Sequence, residues 1–145
     1  MARVLYTAQA TVTGGRAEGH GRSSDGALDV QLRSPKEMGG EGGGTNPEQL
    51  FAVGYAACFE GALGVVGRRE HAEVGDVSIE SRVSMLPTEE HGFKLAVELD
   101  VTLPQVQDAE LAARLVTAAH QVCPYSNATR GNIDVTLTVN GSPIG

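Results

Sequence analysis

The stretch that decides the fold is GGGTNPEQLFAVGYAACFEGALGVVG, residues 42–67. Thr45 and Glu48 stand in the S/T-x-x-E relation of a capping box, and Pro47 falls in the first turn, where its missing N–H does no harm. A helix therefore begins here and runs to about Gly67, with apolar residues on almost every side from Leu50 to Val66. A helix apolar all round must be enclosed on all sides. A chain of 145 residues can hardly do that alone, so a partner subunit is expected over one flank. Gly54, Ala56, Ala57, Gly61, Ala62 and Gly64 would let a second backbone come close.

Upstream of this helix, Val4, Tyr6, Ala8, Ala10 and Val12 alternate with polar or small residues, the period of a half-buried strand, until Gly14-Gly15 breaks it. Leu28, Val30 and Leu32 repeat the alternation. The segment SPKEMGGEGGGTN, with five glycines and a proline, excludes a regular element and predicts a loop of the length often given to function. Downstream, Val77, Ile79 and Val83, the turn PTEEHG, and Phe93, Leu95, Val97, Leu99, Val101 and Leu103 read as a hairpin. Asp108 caps a second helix along Leu111, Leu115, Ala118, Ala119 and Val122, which stops near Cys123 because Pro124 follows. Ile133, Val135, Leu137 and Val139 mark a last strand. Alternating strands with helices between groups of them predict an α+β fold, a single domain over 1–145 without repeats.

Composition narrows the function. A net charge of -7 and 11 Lys and Arg against 18 acidic residues supply no basic stripe for a phosphate backbone, so nucleic acid is not expected. The start MARVLYTAQATV has no signal-peptide core, and LFAVGYAACF is interrupted by Glu60 short of the roughly 18 apolar residues of a membrane span. A soluble, cytoplasmic protein without a membrane partner is predicted. His20, His71, His91 and His120 have no ligand spacing with the cysteines, no C-x-x-C pair exists, and GGEGGGTN lacks the Lys-Ser/Thr of a phosphate loop. No metal, nucleotide or other cofactor is called for.

Two cysteines remain, Cys58 within the apolar helix and Cys123 at a helix end. In a reducing compartment such thiols serve more naturally as a redox couple than as a staple. Free cysteine is also a common small core hydrophobe, and each residue alone would be read that way. A reactive thiol must be ionised, and lowering its pKa by about three units needs roughly 4 kcal/mol of differential stabilisation. An exposed ion pair cannot supply that; a desolvated arginine held by a carboxylate can.

Three strings, VLYTAQATVTGGR (4–16), GGGTNPEQLFAVGYAACF (42–59) and VCPYSNATRGNIDV (122–135), resemble the organic hydroperoxide resistance (Ohr) branch of the OsmC/Ohr superfamily. The resemblance runs from end to end. It implies antiparallel sheets around central buried helices in an intertwined homodimer. It also implies a peroxidase in which Cys58 is the peroxidatic and Cys123 the resolving thiol, with Arg16 and Glu48 as catalytic partners. The implied substrate is an organic hydroperoxide, and the implied reductant is a lipoyl dithiol of the dihydrolipoamide type.

Ten helical residues, about 15 Å of rise, separate Glu48 from Cys58, so both cannot touch one Arg16 along a straight helix. Either the helix bends sharply or the site is shared; in keeping with the homodimer that the resemblance implies, Cys58 of one subunit is expected to meet Arg16 and Glu48 of the other. Met38, Phe59, Phe93 and Tyr125 are the expected lining of an apolar substrate pocket. The alternative from another class is a non-catalytic redox sensor or binding module built on the same thiols.

Overall fold

A computed structural model describes residues 2–144, and the chain divides into two units at Leu50. In the first unit β1 (Ala10–Thr13), β2 (Gly19–Ser23) and β3 (Asp29–Arg33) form an antiparallel sheet in that order. Between β1 and β2 the chain makes one helical turn, α1 (Gly15–Glu18). Gly14 starts it at φ 75°, where a Cβ would lie 2.7 Å from the Glu18 carbonyl oxygen, so this position needs glycine.

The expected strand from Val4 is corrected: the ladder begins only at Ala10, opposite Ser23, where β2 turns toward β3, and a single further bond, from the Ser24 N–H to the Gln9 carbonyl, lies beyond it. Val4, Leu5 and Tyr6 are exposed. The glycine-rich loop also holds a regular piece, one 3-10 turn over Lys36–Met38. Pro35 leads into it, and Gly39 at φ 86° closes it with its N–H on the Lys36 carbonyl.

Thr45 does not cap the long helix α2 (Pro47–Arg69). It is bridged to Leu32, and the cap is Asn46, whose Oδ1 accepts the Gln49 N–H at 2.8 Å. α2 runs through Glu60, as expected, and ends two residues past Gly67, at Arg69. By length and composition alone it is apolar enough for a membrane span. Tyr55, Phe59, Ala62, Leu63 and Val66 are buried in a protein core, whereas Val53 is 70% exposed. Enclosure on all sides is therefore not met within one chain.

In the second unit β4 (Ser78–Pro87) and β5 (Phe93–Thr102) form the expected hairpin, in register from Ser78 opposite Thr102 to Pro87 opposite Phe93. Asp108 caps α3 (Ala109–Val122) by accepting the Glu110 and Leu111 N–H groups. A short α4 (Pro124–Thr129) follows, an element that the sequence does not predict. Pro124 ends one helix and, needing no N–H, starts the next.

β6 (Val135–Val139) then lies parallel to β5 and antiparallel to β7 (Ser142–Pro143), so the sheet is mixed and not wholly antiparallel. The α3–α4 crossover carries the chain back to the starting end, as a parallel pair requires. Val97, Leu99 and Val101 on one face of β5 join Leu137, Val139, Leu115, Val116 and α2 in one core. The other face carries Glu98 and Asp100, which Arg82 of β4 clamps.

Candidate active site

α2 is held against α3 and α4 by the shared core, and this brings the only two cysteines together. Cys58 is half-buried, Cys123 fully buried, and their sulfurs lie 3.5 Å apart as free thiols across 65 positions of sequence. A disulfide needs about 2.05 Å, a small further approach. Cys123 is at once the last cap of α3 and the first of α4: its N–H binds the Ala119 carbonyl, and its own carbonyl accepts the Asn127 N–H.

Burial pushes the Cys58 thiol above its ordinary pKa, and the neighbouring Cys123 adds to the rise, while a hydrogen bond from the Tyr125 backbone N–H pulls it down. The balance is upward. Among the described residues of this unit, only that N–H favours the thiolate.

Beside the sulfurs runs a buried polar chain that sequence reasoning did not find. Tyr55 Oη lies 2.8 Å from Ser126 Oγ and 3.1 Å from Thr129 Oγ1, and Ser126 Oγ lies 2.8 Å from His120 Nδ1. Every hydroxyl in it has a partner, as buried polar groups require. The signal was available: Tyr55 and Ser126 stand three positions from Cys58 and Cys123, on the sides from which each shares a helical turn with its cysteine.

Tyr125 lies over the same region, its ring 5.8 Å from Phe51 and 5.6 Å from Tyr55. Gly54 permits this approach, since a Cβ there would stand 2.7 Å from Tyr125 Oη. Phe51, Phe93, Leu95, Pro124, Tyr125 and Ile133 are the apolar walls of a groove of about 900 Å³. Two of the four expected pocket residues, Phe93 and Tyr125, are thus on one wall system. Phe59 is not: it is fully buried in the core, facing inward from α2 beside Leu63 and Tyr55. Met38 belongs to the first unit, where it is exposed in the 3-10 turn and borders a hollow with Ala17, Glu18 and Arg33. Phe51 takes a place that the sequence reading missed, although it is one helical turn from Tyr55.

In the first unit Arg16, on α1, is paired with Glu48 in the first turn of α2 through Nη2 and Oε1. Glu48 is largely buried, and Arg16 Nε is a buried donor with no partner among the described residues. Glu48 is therefore an orienting carboxylate and not half of a capping box. The carboxylate orients the guanidinium through one of its N–H groups, and the buried Nε–H is left without a partner among the described residues.

Residues 40–138 match the family model described as OsmC-like protein. The chain belongs to the OsmC-like family. Within that family this OsmC-like chain falls among the organic hydroperoxide resistance proteins. It is 58% identical over 141 residues to the organic hydroperoxide resistance protein of Xanthomonas axonopodis pv. citri, covering 94% of this chain and 96% of that one. Two solved structures share its fold. The organic hydroperoxide resistance protein of Legionella pneumophila is 52% identical with a TM-score of 0.89, over 94% of this chain and 98% of that one. Organic hydroperoxide resistance protein OhrB of Bacillus subtilis is 50% identical with a TM-score of 0.85, over 94% and 99%. The α+β fold and the family expected from the three motifs are those found.

Proposed function

We propose that this chain is a thiol peroxidase that reduces organic hydroperoxides, with Cys58 as the peroxidatic and Cys123 as the resolving sulfur. The observation that carries the reading is the 3.5 Å approach of two free thiols in one core. Its relatives are named organic hydroperoxide resistance proteins, which points to the same substrate class.

The Cys58 thiolate attacks the terminal oxygen of ROOH. An S–O bond forms, the O–O bond breaks, and the alkoxide takes a proton to leave as alcohol. Cys123 then attacks the sulfenic sulfur: the S–S bond forms, and hydroxide departs with the thiol proton as water. Reduction returns two electrons from a dithiol, for which the lipoyl type is proposed, by thiol–disulfide exchange. Two thiols kept free suit the reducing cytoplasm in which the cycle is placed.

The cation that Cys58 lacks in its own unit is supplied, in this reading, by Arg16 of the partner subunit in a homodimer, oriented by the partner's Glu48. The unspent Arg16 Nε and the upward push on the thiol support it. The same guanidinium would stabilise charge on the departing oxygen. The apolar groove of Phe51, Phe93 and Tyr125 would favour bulky peroxides over hydrogen peroxide.

The test is to titrate reduced protein with cumene hydroperoxide and count thiols. Wild type should lose two, Cys58→Ser none, and Cys123→Ser one without an intramolecular bridge. Equal reactivity of the two single variants overturns the assignment. Turnover of many equivalents of peroxide with dihydrolipoamide separates an enzyme from a sensor, which would be oxidised once.

A further inference from the structure

Two rungs join α2 to α4. One is the pair of sulfurs at 3.5 Å; the other, three residues along each helix, is the 2.8 Å bond between Tyr55 and Ser126. Both residues of the second rung are fully buried. Thr129 extends it on one side and His120 Nδ1 on the other. Four contacts need four hydrogens: the His120 Nδ1–H goes to Ser126 Oγ, the Ser126 O–H to Tyr55 Oη, the Tyr55 O–H to Thr129 Oγ1, and the Thr129 O–H to the Ser126 carbonyl at 3.3 Å. Burial and the charge of Arg130 hold the His120 pKa below its ordinary value, which favours the neutral ring with a single ring proton to place.

Among the described residues, none of these side chains hydrogen-bonds to a reacting sulfur. They touch the frame that carries Cys123. Cys58 sits inside a helix of 23 residues and needs no help to hold its place. Cys123 sits at a joint, with φ -61° and ψ 124° between α3 and α4, and α4 has only six residues. A helix that short does not hold itself, so contacts with neighbours must set where it lies.

We infer that the Tyr55–Ser126–His120 chain is the positioning device for the second chemical step: it clamps α4 to α2 so that Cys123 reaches Cys58 and the disulfide closes. The inference rests on the redox pairing proposed above. It assigns the three residues to resolution and not to the first attack on peroxide. Without the clamp the sulfenic acid waits, open to further oxidation.

Two arms of one experiment test it on Ser126→Ala, Tyr55→Phe, His120→Leu and His120→Asn, with melting temperature as a folding control. In the first arm, one equivalent of cumene hydroperoxide is added, and dimedone traps sulfenic acid. Wild type should give almost no adduct. Ser126→Ala, Tyr55→Phe and His120→Leu should lose the first thiol at a rate within about threefold of wild type but close the disulfide about tenfold or more slowly, as displacement of a reacting group does. His120→Asn, which keeps a hydrogen-bonding atom near the place of Nδ1, should recover most of the closure rate.

In the second arm, Cys58 is converted by dithionitrobenzoate to a mixed disulfide. Release of the second thionitrobenzoate then reads the Cys123 attack with no peroxide present. The same ranking is expected there. If closure runs at the wild-type rate in all four variants, or if both steps slow equally, the inference is overturned. Slow release in the second arm beside an inert first arm would uphold the clamp while sinking the peroxidase reading.

Discussion

Cys58 sits where burial raises its pKa, and only a backbone N–H from Tyr125 opposes the rise. A cation that restores the thiolate must therefore show itself in titration. Arg16→Gln should move the pH midpoint of Cys58 alkylation upward by a unit or more, which is about tenfold less thiolate at neutral pH. Alkylation by iodoacetamide from pH 5 to 10, followed by mass spectrometry of the Cys58 peptide, reads this directly. An unchanged midpoint would sink the role given to Arg16. Gly54 is a second residue whose chemistry is steric. Gly54→Ala places a methyl 2.7 Å from Tyr125 Oη, so the ring must swing off Phe51 into the groove. The expected result is a rise of severalfold in KM for cumene hydroperoxide with little change for hydrogen peroxide, and equal effects on the two would count against an apolar groove as the source of selectivity.

At the scale of elements, α3 and α4 form a pH-sensitive joint through His120. Its pKa is depressed by burial and then by the Arg130 charge. Below the ordinary histidine range the unfolded chain binds a proton that the folded chain resists, so folding stability falls as pH drops through that range. His120→Asn should flatten this part of the acid slope in thermal melts between pH 7.5 and 5; a slope identical to wild type would mean that another group carries it. These elements also show what periodicity could and could not tell. The β4–β5 hairpin and α3 were readable because apolar residues recur at the right period and Asp108 and PTEEHG mark their ends. α4 was not, since six residues carry less than two turns of pattern and Pro124 reads equally as a stop or a start. The parallel placement of β6 was hidden because alternation reports a strand's faces and says nothing of its direction. Cys58 and Cys123 were nameable from sequence, but the Tyr55–Ser126–His120 chain was not, because a buried hydroxyl has a meaning only beside its partner.

For the whole molecule the unsatisfied surfaces are the argument. Val4, Leu5 and Tyr6 precede a ladder that ends at Ala10, and Val53 on α2 and Phe93 at the groove are 70% and 74% exposed. Scattered apolar exposure is ordinary, but an apolar strand pattern without a strand to pair and an apolar helix with an open flank both call for a second chain. Sedimentation should therefore give about twice the 15.1 kDa of one chain, and deletion of residues 2–9 should shift it toward the monomer. Whether the second chain also completes the site can be decided by complementation. Arg16→Gln and Cys58→Ser are each expected to be inactive alone. If Cys58 works with Arg16 of the partner subunit, a mixed dimer of the two variants holds one site with both residues intact and one with neither. Unfolding and refolding an equimolar mixture should then restore about a quarter of wild-type turnover, the share of intact sites when chains of a two-fold dimer pair at random. If arginine and cysteine act within one chain, every site in every mixture lacks one of them, and turnover stays at the level of the separate variants.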